Sequence, residues 1–306
     1  MAEIGENIAT RAAMASVGVA MLLLGLKVWA TAATGSVAML GSLADTALDL
    51  IASLVTLFGV WVAAQPADHN HRFGHGKAEA LAALFQTMLI AVSALWIAGR
   101  ALQRLQAPVS PEAPELGISV SVFAMAATLL LVAYQRRVVK QTGSIAIHTD
   151  QLHYQSDVLL NAAVIAALAL DHFAGLLGAD AAFGLLIAAY LGWGAAQSAR
   201  HAIDMLMDKE WDDDRRARIT AIVAAHPIVH GVHELKTRTS GATDFIQFHI
   251  WVDGSMTVAA AHDVVDQLED AVSAEFPGAE ILIHVDPAGH SERYFTLTGQ
   301  TPPEAA

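Results

Sequence analysis

The sequence predicts an α-helical membrane protein in two parts: six transmembrane helices, then a small α+β domain. Composition is the first reason. Of 306 residues, 55% are hydrophobic and 15% charged, against about 25% charged in a typical soluble domain. Uneven polarity is the second. From residue 207 onward there are 17 Asp and Glu, 7 Lys and Arg, and 7 of the 14 His. An apolar first two-thirds therefore precedes an acidic, histidine-rich remainder.

The third reason is length. A helix needs about 20 apolar residues to cross a bilayer. Six stretches qualify, at 12–34, 36–64, 80–105, 116–137, 146–175 and 178–205. Glycine, proline or charge marks each gap, as in "QPADHNHRFGHGK" and "QAPVSPEAPE". The first stretch ends in "ATAATG", which looks cleavable, but the residues before it are acidic, unlike a signal peptide.

Basic residues set the expected orientation. Arg11, Arg72, Lys77, Arg136, Arg137 and Lys140 fall on one side, Arg100 and Arg104 on the other. Both termini are thus expected in the cytoplasm, together with the acidic tail domain.

Residues 207–290 read as helix, strand, strand, helix, strand. Three Asp open "DDDRRARITAIVAAH", where they suit a helix N-terminus. "GVHELKTRTSG" and "DFIQFHIWVDG" alternate as strands do. Thr257 is the expected cap of the second helix, and "AEILIHVDP" is the last strand. Residues 291–306 read as a disordered tail. The expected domains are 1–206, 207–290 and that tail.

The formal charge of −13 argues against nucleic acid, which calls for basic patches, and suits a cationic ligand. With no cysteine, disulfides, thiolate metal sites and cysteine nucleophiles are excluded.

"LADTALDL" carries the first chemical signal. Asp45 and Asp49, four apart, stack on one helix face inside an expected span. An ionised Asp at mid-bilayer costs about 2.5–3.5 kcal/mol on insertion scales. Two side by side cost more unless a proton or a cation lies between them. "QLHYQSDVLLNAA" repeats the device with His153 and Asp157. Three carboxylates and one imidazole can supply four ligands, a set suited to Zn²⁺. Imidazole also suits Fe²⁺ and other borderline metals. The alternatives are acids in a water-filled crevice, or a diaspartyl protease. The protease needs facing Asp residues in Gly-containing motifs, which are not evident.

"GSLADTALDL" and "HTDQLHYQSDVLLN" closely resemble the paired D-x-x-x-D and H-x-x-x-D motifs of the cation diffusion facilitator family. The nearest likeness is to its YiiP-type (ferrous-iron/zinc efflux) branch, over nearly the whole chain. The resemblance implies six helices followed by a cytoplasmic ferredoxin-like domain. It also implies a transport site of Asp45, Asp49, His153 and Asp157 that exchanges a divalent metal for protons. Manganese members tend to lack the histidine, so His153 favours Zn²⁺, Fe²⁺ or Cd²⁺.

Two further metal sites follow from the resemblance. Asp68, His71 and His75, beside Gly74 and Gly76, match a loop site. His233, His249, His262, His284 and Asp286 match a cytoplasmic site at the dimer interface, although Val285 departs from relatives with a polar residue there. Lys77 and Asp208 match a salt bridge. His226, His230 and His290 match nothing and read as surface.

The expected protein is no enzyme. It is a proton-coupled exporter of divalent metal, a homodimer in the cytoplasmic membrane, with Zn²⁺ both carried and bound. The rivals are a membrane-anchored metal sensor or scaffold, and a Na⁺/H⁺ antiporter using Asp45 and Asp49. The His153–Asp157 pair argues against the latter, because Na⁺ prefers oxygen ligands.

Overall fold

The computed structural model describes residues 2–34, 37–106, 115–174 and 179–288. The expected disordered tail lies outside them. Six long helices come first: α1 (Ala2–Thr34), α2 (Val37–Ala63), α3 (Ala78–Gln106), α4 (Glu115–Thr142), α5 (Ile145–Ala174) and α6 (Ala179–Leu206). Then follow α7 (Asp213–Ala224), β1 (Gly231–Ser240), β2 (Thr243–Val252), α8 (Val258–Glu275) and β3 (Glu280–Pro287). Two compact units result, one covering Glu3–Ile203 and the other running from Asp204 onward.

Among the described residues, α1, α2, α3, α4 and α6 are long and apolar enough to cross a membrane. The weaker sixth, α5, carries His148, Asp150, His153 and Asp157 in its first half, which dilutes its apolar run. Large apolar side chains point outward from the bundle. Trp29, Phe58, Trp61, Leu95, Leu130 and Trp193 are all exposed, as expected of a surface covered by lipid.

Inside, small residues let helices approach closely. Ala9, Ala12 and Ala13 of α1 pack with Val60, Ala82, Val138 and Ala146 from α2 to α5. A Cβ added at Gly59 would lie 2.4 Å from Ala82 Cβ, so only glycine permits this α2–α3 contact. Ile90 and Ala94 of α3, Leu152 of α5, and Ile187 and Leu191 of α6 form a second cluster.

A buried polar junction adds direction to this packing. Asp150 accepts hydrogen bonds from Ser16 Oγ (2.6 Å), Gln135 Nε2 (2.6 Å) and Gln86 Nε2 (2.7 Å). Gln86 also donates to Thr56 Oγ1 at 2.6 Å. The junction thus ties α1, α2, α3, α4 and α5 together just before His153. Tyr154, 1% exposed, shares a 2.7 Å hydrogen bond with Ser53 Oγ, which fixes α5 against α2.

The second unit is a three-stranded sheet, ordered β1-β2-β3. β1 and β2 are antiparallel, while β2 and β3 are parallel and joined through α8. Ile246, Phe248 and Ile250 of β2 bury with Ile219 and Val223 of α7 and Val264, Leu268 and Val272 of α8. Both helices start on caps. Asp212 accepts from the Arg215 amide, and Thr257 from the Ala260 amide. Trp211 packs on Phe276, with the Arg215 guanidinium 3.5 Å above its ring centroid. This is the helix-flanked α+β domain expected from the tail sequence.

Candidate metal sites

The membrane site is built by α2 and α5. His153 and Asp157 lie one turn apart on α5, and the polar junction holds that helix beside α2. Asp49 of α2 meets His153, its Oδ1 lying 3.0 Å from Nε2. One donor atom from each of Asp49, His153 and Asp157 lies within 4.8 Å of the others. Such spacing suits convergence on a single ion after small side-chain movements. Asp45 is not in this trio. It stands one turn earlier on α2, exposed.

The loop cluster is local. Asp68 Oδ1 accepts from the amides of Asn70 (2.8 Å) and His71 (2.6 Å), which curls the loop. The His71 amide, foremost, holds the Asp68 carboxyl below the usual range. Gly74 turns the chain with φ +76°, bringing His75 back. His71 Nδ1 and His75 Nε2 lie 3.3 and 3.4 Å from Asp68 oxygens. The imidazoles stand 4.5 Å apart.

The tail cluster is a product of sheet register. His233 on β1 pairs with His249 on β2, and His249 with His284 on β3. Three strands therefore place three histidines in one row. Asp286, two residues beyond His284, falls on the same face of β3. Its carboxylate is 5% exposed and takes His249 Nδ1 at 3.1 Å, His233 Nε2 at 3.2 Å and His284 Nε2 at 3.4 Å. His233 also stacks on Trp251, ring centroids 4.0 Å apart. Burial, against the opposing pull of Asp286, lowers the His233 pKa and favours the neutral imidazole that binds metal. His262 is elsewhere. On α8 it pairs with Asp266 at 3.0 Å, both exposed.

Lys77 and Asp208 fall in separate units, and Asp208 pairs within its own with Arg238 Nη1 at 3.3 Å. His226 lies 3.3 Å from Gln267 Oε1, and His290 lies outside the described residues.

Two features of the membrane unit escaped the sequence reading. One is the Asp150 junction with Ser16, Gln86 and Gln135. The other is Lys27 of α1, whose Nζ donates to Thr46 Oγ1 at 2.6 Å. Both were signalled by ionisable residues within apolar stretches, the pattern already followed for Asp45 and Asp157.

A bundle of apolar helices carrying a cluster of imidazole and carboxylate donors, followed by an α+β domain with a second such cluster, has the form of a multi-pass membrane transporter of metal cations. The chain belongs to the cation efflux family. The family's cation efflux transmembrane domain matches residues 13–207, and its cytoplasmic domain matches 211–288. It is a family of transporters, not of enzymes.

The cation-efflux pump FieF of Cronobacter sakazakii is 45% identical over 288 residues, covering 94% of this chain and 96% of that protein. The FieF pump of Escherichia coli O127:H6 is 44% identical over 281 residues, covering 92% and 93%. A solved metal-bound C-terminal domain of the CzcD transporter from Thermotoga maritima shares 31% identity. It covers 26% of this chain and 93% of that one, at a TM-score of 0.25.

Proposed function

We propose that the chain is a proton-coupled antiporter that carries Zn²⁺, with Fe²⁺ and Cd²⁺ as further substrates, out of the cytoplasm. The observation that carries this reading is the Asp49–His153–Asp157 trio within the bundle. One nitrogen and several carboxylate oxygens suit Zn²⁺ and Fe²⁺ better than the all-oxygen preference of Mg²⁺ or Ca²⁺. Asp45, one turn away on α2, is the fourth ligand, reached by a change of rotamer or a small turn of the helix.

Exchange with protons follows from the donor chemistry. The 3.0 Å bond between His153 Nε2 and Asp49 Oδ1 needs a proton between the two atoms, which occupies the nitrogen's lone pair. A metal ion needs the same nitrogen's lone pair, so metal enters as the proton leaves. Alternating access then loads the site from the cytoplasm and discharges it outward, with inward proton flow re-forming the His153–Asp49 bond. The Asp150 junction helps α2 and α5 hold a common position around the cargo.

The loop cluster of Asp68, His71 and His75 is a second metal site. The row of His233, His249 and His284 with Asp286 is a third, joined by His262 after a rotation from Asp266. The tail sites bind Zn²⁺ as a regulatory ion and draw two copies together as a homodimer. The protein lies in the cytoplasmic membrane with both termini inside, 1–206 forming the transport domain and 207–290 the tail domain.

Metal-driven flux in proteoliposomes tests the proposal. Zn²⁺ uptake that dissipates an imposed proton gradient is the expected result. Zn²⁺ binding without flux leaves the sensor reading instead.

A further inference from the structure

Lys27 is the one charged residue between Arg11 and the end of α1. A lysine near the end of a spanning helix usually snorkels toward the membrane surface. This one turns inward. Its ammonium donates to Thr46 Oγ1 at 2.6 Å, and Thr46 is 1% exposed. Thr46 lies on α2 between Asp45 and Asp49. The ammonium is therefore held at the α2 wall of the membrane site, where the charges of Asp49, Asp157 and Asp45 all attract it. The field of three carboxylates on two helices thus reaches one ammonium from a third.

We propose that Lys27 is a tethered counter-cation of the transport site, competing with the metal ion for the same carboxylates. This inference rests on reading Asp49, His153 and Asp157 as that site. A lysine ammonium is a compact point charge on a flexible four-carbon stem, so it can swing toward the carboxylates or away from them. With the metal gone, the ammonium on Thr46 keeps them from facing each other uncompensated, a costly state within a membrane. As the metal arrives, the two cations repel, and the ammonium swings away. Lys27 thereby weakens binding and speeds discharge. In a carrier, release limits turnover as much as capture does.

The test is Lys27→Met, which keeps the stem's bulk and removes the charge. Zn²⁺ binding to the full-length chain is measured with and without Asp49→Ala, so that the Asp49-dependent component isolates the membrane site from the loop and tail clusters. The expected result is an Asp49-dependent affinity about tenfold tighter in Lys27→Met, equivalent to about 1.4 kcal/mol. Maximal flux in proteoliposomes should fall at the same time, and Lys27→Arg should restore both. Unchanged or weaker binding in Lys27→Met would overturn the inference. If that variant does not fold, Lys27→Gln is read the same way. A wild-type chain with no Asp49-dependent binding would sink the transport-site reading itself, and this inference with it.

Discussion

His153 and Asp49, 104 residues apart in the chain, meet at 3.0 Å between α5 and α2. This contact joins the two carboxylate-bearing helices at a group that can hold either a proton or a metal ion. Its removal should be felt in transport before it is felt in folding.

Asp49→Ala or Asp157→Ala should reduce Zn²⁺ flux to the background of empty vesicles, with the protein still folded. Each change deletes a charge and a ligand from the trio, while the Asp150 junction and the alanine-rich helix contacts remain. Flux in proteoliposomes and size-exclusion chromatography of the same preparation check the two halves. Wild-type flux in either variant would remove these residues from the site.

His153→Asp should shift preference from Zn²⁺ toward Mn²⁺. The change replaces the one nitrogen donor with oxygen, and all-oxygen sites favour harder ions such as Mn²⁺. Competition between metals for transport is the measurement. An unaltered Zn²⁺ preference would show that the imidazole is not a ligand.

Zn²⁺ should stabilise the isolated tail domain from about residue 209 onward. A ligand at 100 times its Kd adds about 2.7 kcal/mol, which a melting curve reads as a clear rise in Tm. His233→Ala with His284→Ala should abolish that rise while membrane transport persists. A domain whose Tm ignores Zn²⁺ at neutral pH has no such site.

The same domain without metal should lose stability as pH falls toward about 5. Burial lowers the His233 pKa in the folded state. The unfolded chain therefore binds the proton more readily, since an ordinary imidazole has a pKa near about 6.5. The His233 contribution is complete above that ordinary value and is lost as pH drops through the lowered one. His233→Asn should flatten this part of the profile in denaturant titrations at several pH values. An identical slope in the variant would assign the effect to other groups.

Gly59→Val should destabilise the membrane unit. Even a single Cβ at Gly59 would press against Ala82 at 2.4 Å, so α2 must move from α3. Overpacking of this kind costs about 1–3 kcal/mol. Heating the purified protein and following its aggregation should show a lower threshold. Ala82→Gly in the same chain should recover part of the loss.

The six spans, the strand and helix order of the tail, and the cap at Thr257 were legible in the sequence, because each depends on near neighbours. Periodicity, turn residues and capping act over a few positions. Spacing of four likewise placed His153 and Asp157 on one face before any tertiary contact was known. The loop cluster was legible for the same reason, since Asp68, His71 and Gly74 build it among themselves.

What the tertiary structure decided is which distant groups meet. Asp45 and Asp49 are equivalent in the sequence, yet the packing of α2 on α5 brings only Asp49 against His153. His233, His249 and His284 become one row through strand register, whereas His262 turns to Asp266 on its own helix. Lys27 belongs to no motif in the sequence, and only the packing of α1 sets it against Thr46. Helix rotation and strand register depend on the whole core: alanine against glycine at the α2–α3 contact, and a parallel β2–β3 pair closed through α8. A local pattern can name the ligating residues, but only the packed chain selects those that face one another.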